Sequence, residues 1–235
     1  MQVVAAVVTR GEAGQMIDGR GTMDGPAGLL ETLVEQPHGA DRGADLVICH
    51  PHPLHGGTLD NKVVHTLARA ARDEGLRAVR FNFRGTGRST GIHDHGRGET
   101  DDLLAVVAAA RGDRPGSRLL LAGFSFGAFV TASSLTRLAS AGDLPLAALL
   151  VAPPVHYAGF DDLPPFPLPV TVFQGDDDEV VEPEAVAAWC AARRPPLVPA
   201  MFAAGHFFHG ALPELKERTA AWIRQSLLSG GGRER

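Results

Sequence analysis

Only two cysteines, Cys49 and Cys190, occur in the 235 residues. They are too few for the disulfide framework that holds many small secreted domains together. No apolar run approaches the roughly 20 residues that cross a bilayer. No lysine or arginine precedes the apolar run of Met1-Gln2-Val3-Val4-Ala5-Ala6-Val7-Val8, so a signal peptide is not expected and the default location is cytoplasmic. No block of basic residues is present to track a phosphate backbone. The net charge is −5, and nucleic acid is not an expected partner. No internal repeat is found, which leaves an ordinary globular chain: 44% hydrophobic and 21% charged residues, with length for one domain and its core.

Apolar runs and amphipathic stretches alternate along that length. Residues 10–27 are rich in glycine and polar residues and lack periodicity. They read as a loop after a short first strand, or as sequence upstream of a start at Met16 or Met23. Strands are expected at 29–35, 45–50, 76–83, 118–122, 146–152, 169–174 and 197–203. Helices are expected at 59–74, 99–111, 128–138, 183–193 and 212–228. Gly75 stops the first helix, and Asp101 and Asp102 lie in the first turn of the second. Alternation with apolar strands predicts an α/β fold: a three-layer sandwich around one mostly parallel sheet of about eight strands. The chain divides into residues 1–24, an extension or first strand with its loop, a domain over 25–228, and a flexible tail over 229–235.

Gly123-Phe124-Ser125-Phe126-Gly127 is the most informative stretch. This G-x-S-x-G follows an apolar strand and precedes an Ala-rich helix, the setting of a sharp strand-to-helix turn that exposes a serine hydroxyl. A serine needs a base to become a nucleophile, and histidine suits that task near neutral pH. The base needs a carboxylate to orient it. In this architecture the chain order is serine, acid, histidine. The strand at 169–174 runs into Gly175-Asp176-Asp177-Asp178-Glu179, and the strand at 197–203 into Gly205-His206-Phe207-Phe208-His209. Asp178 and His206 are taken as the partners. Asp176 and Asp177 remain alternatives for the acid, and His209 is the nearest rival base.

An acyl-transfer site also needs two N–H donors aimed at the developing oxyanion. One comes from the residue after the nucleophile, Phe126. The other comes from the loop after the strand ending at His50. Pro51 and Pro53 have no N–H to give, which selects His52, with Leu54 and Gly56-Gly57 as fallbacks.

Three groups of residues carry a resemblance to a known family. They are the Ser125 elbow, the G-x-x-D-x-x-V run from Gly175 to Val181, and the Gly205-His206 loop. Together they resemble the serine α/β-hydrolase superfamily. The stretches His50–Lys62 and Arg80–Ser89, with His206–Gly210, are similar to those of a small, lidless bacterial branch. That branch is close to dienelactone hydrolases and to the hydrolase domain of Xaa-Pro dipeptidyl-peptidase-like proteins. The resemblance covers roughly residues 25–228. It implies the fourth residue of G-x-x-D, Asp178, as the acid, and it implies no cofactor.

The expected activity is a carboxylesterase-like serine hydrolase. It would cleave an ester, thioester or small-amide acyl bond of a small molecule through an acyl-Ser125 intermediate. A peptidase or acyl-aminoacyl hydrolase is the alternative within enzymes, and a non-catalytic hydrolase-like binding module is the alternative outside them. Ser125 argues against a dienelactone-type enzyme, whose elbow usually carries cysteine. About fifteen proline-rich residues separate the strands ending near Pro153 and starting near Pro169, too few for a helical lid.

Several side chains admit blander readings. His50, His52, His55, His93 and His95 carry a spacing that could hold zinc, but a polar rim of the active site is expected instead, with Asp94 paired to a neighbouring histidine. Arg84-Gly85-Thr86-Gly87 lacks the lysine of a phosphate-binding loop and is expected to pack beside the site. Phe126, Phe207 and Phe208 are candidates to line an apolar acyl pocket, with His55 and His209 nearby. Cys49 is expected to be a buried, inert thiol.

Overall fold

The computed structural model describes Met16 and residues 18–230. The apolar run at residues 1–10 and the last part of the tail, 231–235, lie outside the described residues. Eight strands form one sheet: β1 Gly19–Gly25, β2 Gly28–Glu35, β3 Ala44–Cys49, β4 Arg77–Phe81, β5 Arg118–Phe124, β6 Ala147–Val151, β7 Val170–Gly175 and β8 Ala200–Phe202. Their order across the sheet is β1-β2-β4-β3-β5-β6-β7-β8. β1 pairs antiparallel with β2 and β2 with β4, and the remaining neighbours are parallel.

β3, β5 and β6 carry apolar side chains on both faces because helices cover both. In β5, Leu119 and Leu121 point to the layer of α2 (Arg97–Asp113), α3 (Phe126–Ser140) and α4 (Pro183–Ala192). Leu120, Ala122 and Phe124 point to α1 (Lys62–Asp73) and α5 (Leu212–Gly230). The same two-residue alternation sends Val47 and Cys49 of β3 one way and Leu46 and Ile48 the other.

The chain direction across the sheet sets where the site lies. β3 is followed by its neighbour β4 on one side, and β5 then lies on the other side of β3. Open α/β sheets leave a crevice at the carboxyl ends of strands where the order switches like this. Here those ends are the His50 loop after β3 and the Ser125 turn after β5.

β1 is where the expectation fails. It occupies part of the stretch read as a loop and straddles the boundary drawn at residue 24. As an edge strand it buries only Gly21 and Met23 on its inner side. That is too little apolar content to register as a period. The hairpin is fastened from behind by Glu31, whose buried carboxylate takes the Arg88 N–H, Asn82 and Arg20. Burial would push this carboxyl up, but those hydrogen bonds hold it down at about 2.

Helix ends also move. α1 starts at Lys62, not at 59, because the Asn61 side chain caps it by accepting from Val63 N–H at 2.9 Å. α2 starts at Arg97, with Glu99 reaching back to the N–H groups of Gly96 and Asp94 at 2.7 and 2.9 Å. With that start, Asp102 lies beyond the first turn. It is buried and pairs with Arg84 at 2.7 Å, which anchors the turn after β4. α5 continues to Gly230, past the expected end at 228. From Val151 to Val170 the chain makes bends and turns and no helix, so nothing is inserted over the sheet there.

Candidate active site

Ser125 sits at the tip of the β5–α3 turn with φ 53° and ψ −121°. A side chain rarely tolerates this conformation, and the flanking glycines explain how the turn closes. A Cβ at Gly123 would lie 2.1 Å from the Gly127 carbonyl oxygen, and one at Gly127 would lie 2.4 Å from that of Cys49. The Ser125 N–H is held by the Val151 carbonyl at 2.8 Å.

His206 Nε2 lies 3.0 Å from Ser125 Oγ. Its Nδ1 lies 2.9 Å from Asp178 Oδ2 and 3.1 Å from Oδ1. All three side chains are buried. Asp178 also accepts from the N–H groups of Val180 and Val181 at 2.9 and 2.8 Å and from Gln174 Nε2 at 2.9 Å. Burial opposes its charge, yet the His206 hydrogen bond and the two N–H groups hold this carboxyl below the usual carboxylate range. Nδ1 of His206 therefore faces a carboxylate acceptor, and Nε2 faces the Ser125 hydroxyl.

The neighbouring aspartates are placed elsewhere. Asp176 and Asp177 are exposed, and Asp176 accepts from the Ala204 N–H at 3.2 Å. His209 is exposed and stacks on the Phe207 ring at 6.0 Å. Two supporting residues escaped the sequence reading. Gln174 orients Asp178, and Glu179 accepts the His206 N–H at 3.1 Å. A glutamine ending an otherwise apolar buried strand, four residues before the acid, was the available signal for the first.

The loop after β3 folds as a short 3-10 turn over Pro53–His55. Leu54 N–H goes to His52 Nδ1 at 3.3 Å, Gly56 N–H to Pro53 O at 3.1 Å and Gly57 N–H to His52 O at 3.0 Å. The fallback donors are thus engaged within the loop. The N–H groups of His52 and Phe126 have no hydrogen-bond acceptor among the described residues. The two rings lie 4.8 Å apart.

The histidines divide into different roles. His50 is fully buried; Nδ1 donates to the Pro51 carbonyl at 2.7 Å and Nε2 accepts the Phe83 N–H at 3.0 Å. Both ring nitrogens are occupied, and burial pushes this imidazole down to about 4. His52 stacks on His55 and touches His93, with centroids at 4.5 and 4.9 Å. Burial, then the neighbouring His93 and His55, push His52 to about 4. The carboxylate beside a histidine is Glu99, 2.8 Å from His93 Nδ1, and not Asp94, which accepts from Gly98 N–H and Arg97. Among the described residues no group of three or more His, Cys, Asp or Glu side chains is arranged to hold a metal ion. Cys49 is fully buried, and burial pushes its thiol up to about 12.

A cavity of about 200 Å³ opens over Ser125 and His206, walled by His52, His55, Val180 and Phe207. Two of the expected pocket residues need correction. Phe208 takes a left-handed φ of 54°, which turns its ring into the core, 5.2 Å from Phe202. Phe126 is buried beneath the site against Phe83 and His93. His209 borders an adjoining cavity.

No family model matches the chain. An uncharacterised protein of Rickettsia prowazekii is 34% identical over 167 residues, 69% of this chain and 68% of that one. An α/β serine hydrolase homologue from Coxiella burnetii superposes with a TM-score of 0.82 at 42% identity, covering 88% of this chain and 98% of that one. A member of the α/β serine hydrolases without a lid, from Xanthomonas campestris, gives a TM-score of 0.82 at 37% identity, covering 90% and 96%. With the sheet order, the serine turn and the missing lid, these likenesses establish that the chain belongs to the α/β serine hydrolase family, in its lidless branch.

Proposed function

We propose that the protein hydrolyses an ester, thioester or small-amide acyl bond through a covalent acyl-Ser125 intermediate. The observation that carries this reading is the unbroken series Ser125 Oγ, His206 Nε2, His206 Nδ1, Asp178 Oδ2, with steps of 3.0 and 2.9 Å. His206 Nε2 takes the hydroxyl proton as Oγ attacks the acyl carbon. The carbonyl oxygen gains the negative charge and is met by the N–H groups of Phe126 and His52. Collapse expels the alkoxide, thiolate or amine, which receives the proton from His206. Water then gives a proton to His206 and attacks the acyl carbon, and Ser125 leaves as the hydroxyl. Asp178 stays ionised and stabilises the imidazolium in both halves.

The cavity over Ser125 is small and has no helical cover, which favours a short acyl group or one exposed on a larger molecule. The test is active-site labelling with a fluorophosphonate, read by intact mass and peptide mapping. The expected adduct lies on Ser125 and is absent from Ser125→Ala. An unlabelled wild-type protein would instead support a non-catalytic binding module.

A further inference from the structure

A second cavity, of about 560 Å³, lies between α1 and α5 and is unused by the chemistry above. Lys62, His65 and Arg69 line it from α1. Their spacing of three and then four residues puts them on one helix face. Lys216 faces them from α5. The chain has only two lysines, Lys62 and Lys216, and both line this cavity. In a protein of net charge −5 this is a local concentration of positive charge.

The acidic groups nearby are already engaged. Asp60 is held by Arg20 through both carboxylate oxygens at 2.7 and 2.9 Å, and Asp73 by Lys216 and His38. Glu35 pairs with Arg72 and Arg80. Lys62 and Arg69 have no ion-pair partner among the described residues. Burial, followed by the charges of Arg80, Arg69 and Arg72, pushes the His65 imidazole below its usual range despite Glu35.

This cleft is not isolated from Ser125. A cavity of about 350 Å³ lies between, sharing Gly56, Asn61 and Phe207 with the serine pocket, and Asp60 and Lys62 with the cleft. The connection leaves the site past Phe207, the residue next to His206. In the acyl-Ser125 reading His206 delivers a proton to the departing atom, and a leaving group that departs beside His206 has this groove next to it.

We propose that the α1–α5 cleft is a subsite for a leaving group ending in a phosphate, reached along the groove past Phe207 and held by Lys62 and Arg69, with Lys216, which also pairs with Asp73, facing them from α5. A doubly charged tetrahedral group can accept from several donors at once, which suits cations converging from two helices. The proposal rests on the acyl-Ser125 reading for its direction.

The test uses S-acetyl ω-mercaptoalkyl phosphates of increasing spacer length against the matching S-acetyl ω-mercaptoalkanols. The ratio of their kcat/KM values should rise with spacer length to roughly tenfold, through KM, the size that two or three exposed charge contacts supply. It should fall as salt is added. In the double variant Lys62→Ala, Arg69→Ala the ratio should collapse toward unity. A ratio near unity at every length in the wild type would overturn the proposal.

Calorimetry on Ser125→Ala separates the two readings. The free ω-mercaptoalkyl phosphate should bind Ser125→Ala and lose affinity in the added presence of Lys62→Ala and Arg69→Ala. No binding overturns the subsite, as does inorganic phosphate binding as tightly as the long thiol phosphate, which would make the cleft a site for the free ion. Turnover surviving in Ser125→Ala overturns the serine reading instead.

Discussion

His50 Nε2 accepts the Phe83 N–H at 3.0 Å, so the end of β3 is bolted to the end of β4 beside the nucleophile turn. The same ring donates to the Pro51 carbonyl and thereby sets the start of the loop that presents the His52 N–H. A histidine that looked like a metal-ligand candidate by spacing is a neutral structural clamp.

Stability should report this clamp through pH. The imidazole falls from an ordinary value of 6.5 to about 4 on folding, with burial the leading cause. Between those values the unfolded chain binds the proton and the folded one does not. The His50 contribution is therefore full above pH 6.5 and lost as pH falls through the interval, by roughly 3 kcal/mol. Urea denaturation of wild type and His50→Gln should show a steeper loss in the wild type between pH 6.5 and 4. Parallel slopes would remove the clamp from the account.

At the nucleophile, Ser125→Ala should cut kcat by roughly 10⁵–10⁶ while leaving the fold intact. The backbone strain gives a second readout. Glycine suits φ 53° better than alanine, so Ser125→Gly should be the more stable of the two variants by about 1 kcal/mol, after its larger unfolded-state entropy. Ester hydrolysis by a purified Ser125→Ala protein at wild-type rates would refute the nucleophile.

For the acid, the expected order of damage is Asp178→Asn far above Asp176→Asn and Asp177→Asn. The first should lower kcat by about 10³–10⁴ because an amide favours the wrong His206 tautomer. The other two side chains are exposed and out of reach of the ring. Comparable losses in all three would mean that the acid has been misassigned.

Of the two proposed oxyanion donors, the His52 N–H lies in a loop where a substitution can delete it. His52 has φ −56° and ψ 120°, values a proline accommodates, so His52→Pro removes the donor with little backbone conflict. His52→Pro should lose about 2.7–4 kcal/mol of transition-state stabilisation, and His52→Ala should keep most activity. Kinetics on a short p-nitrophenyl ester decide between them. Equal, severe losses would point to the imidazole rather than the backbone.

The parts legible in the sequence were those encoded within a few neighbours. Gly123 and Gly127 flank Ser125 because the turn leaves no room for a Cβ, and that constraint is written into five consecutive residues. The continuous apolar runs of β3 and β5 and the short, proline-rich connection between Val151 and Val170 are local in the same way. β1 was not legible, since an edge strand that buries Gly21 and Met23 carries almost no apolar pattern.

By itself, the sequence determined the fold class, the serine turn and the order in which Ser125, Asp178 and His206 follow the ends of successive strands, since each depends on strand and turn chemistry repeated along the chain. Tertiary structure decided what those residues meet. Ser125 and His206 are 81 positions apart and touch only because β5 and β8 end on the same side of one sheet. Of the three adjacent aspartates, Asp178 lies 2.9 Å from His206 Nδ1, held there by Gln174 and two loop N–H groups. The inward turn of Phe208 came from one backbone angle, and the clamp at His50 from the neighbouring strand. The meeting of both lysines in one cleft required α1 and α5 to pack side by side, a long-range contact that no local pattern specifies.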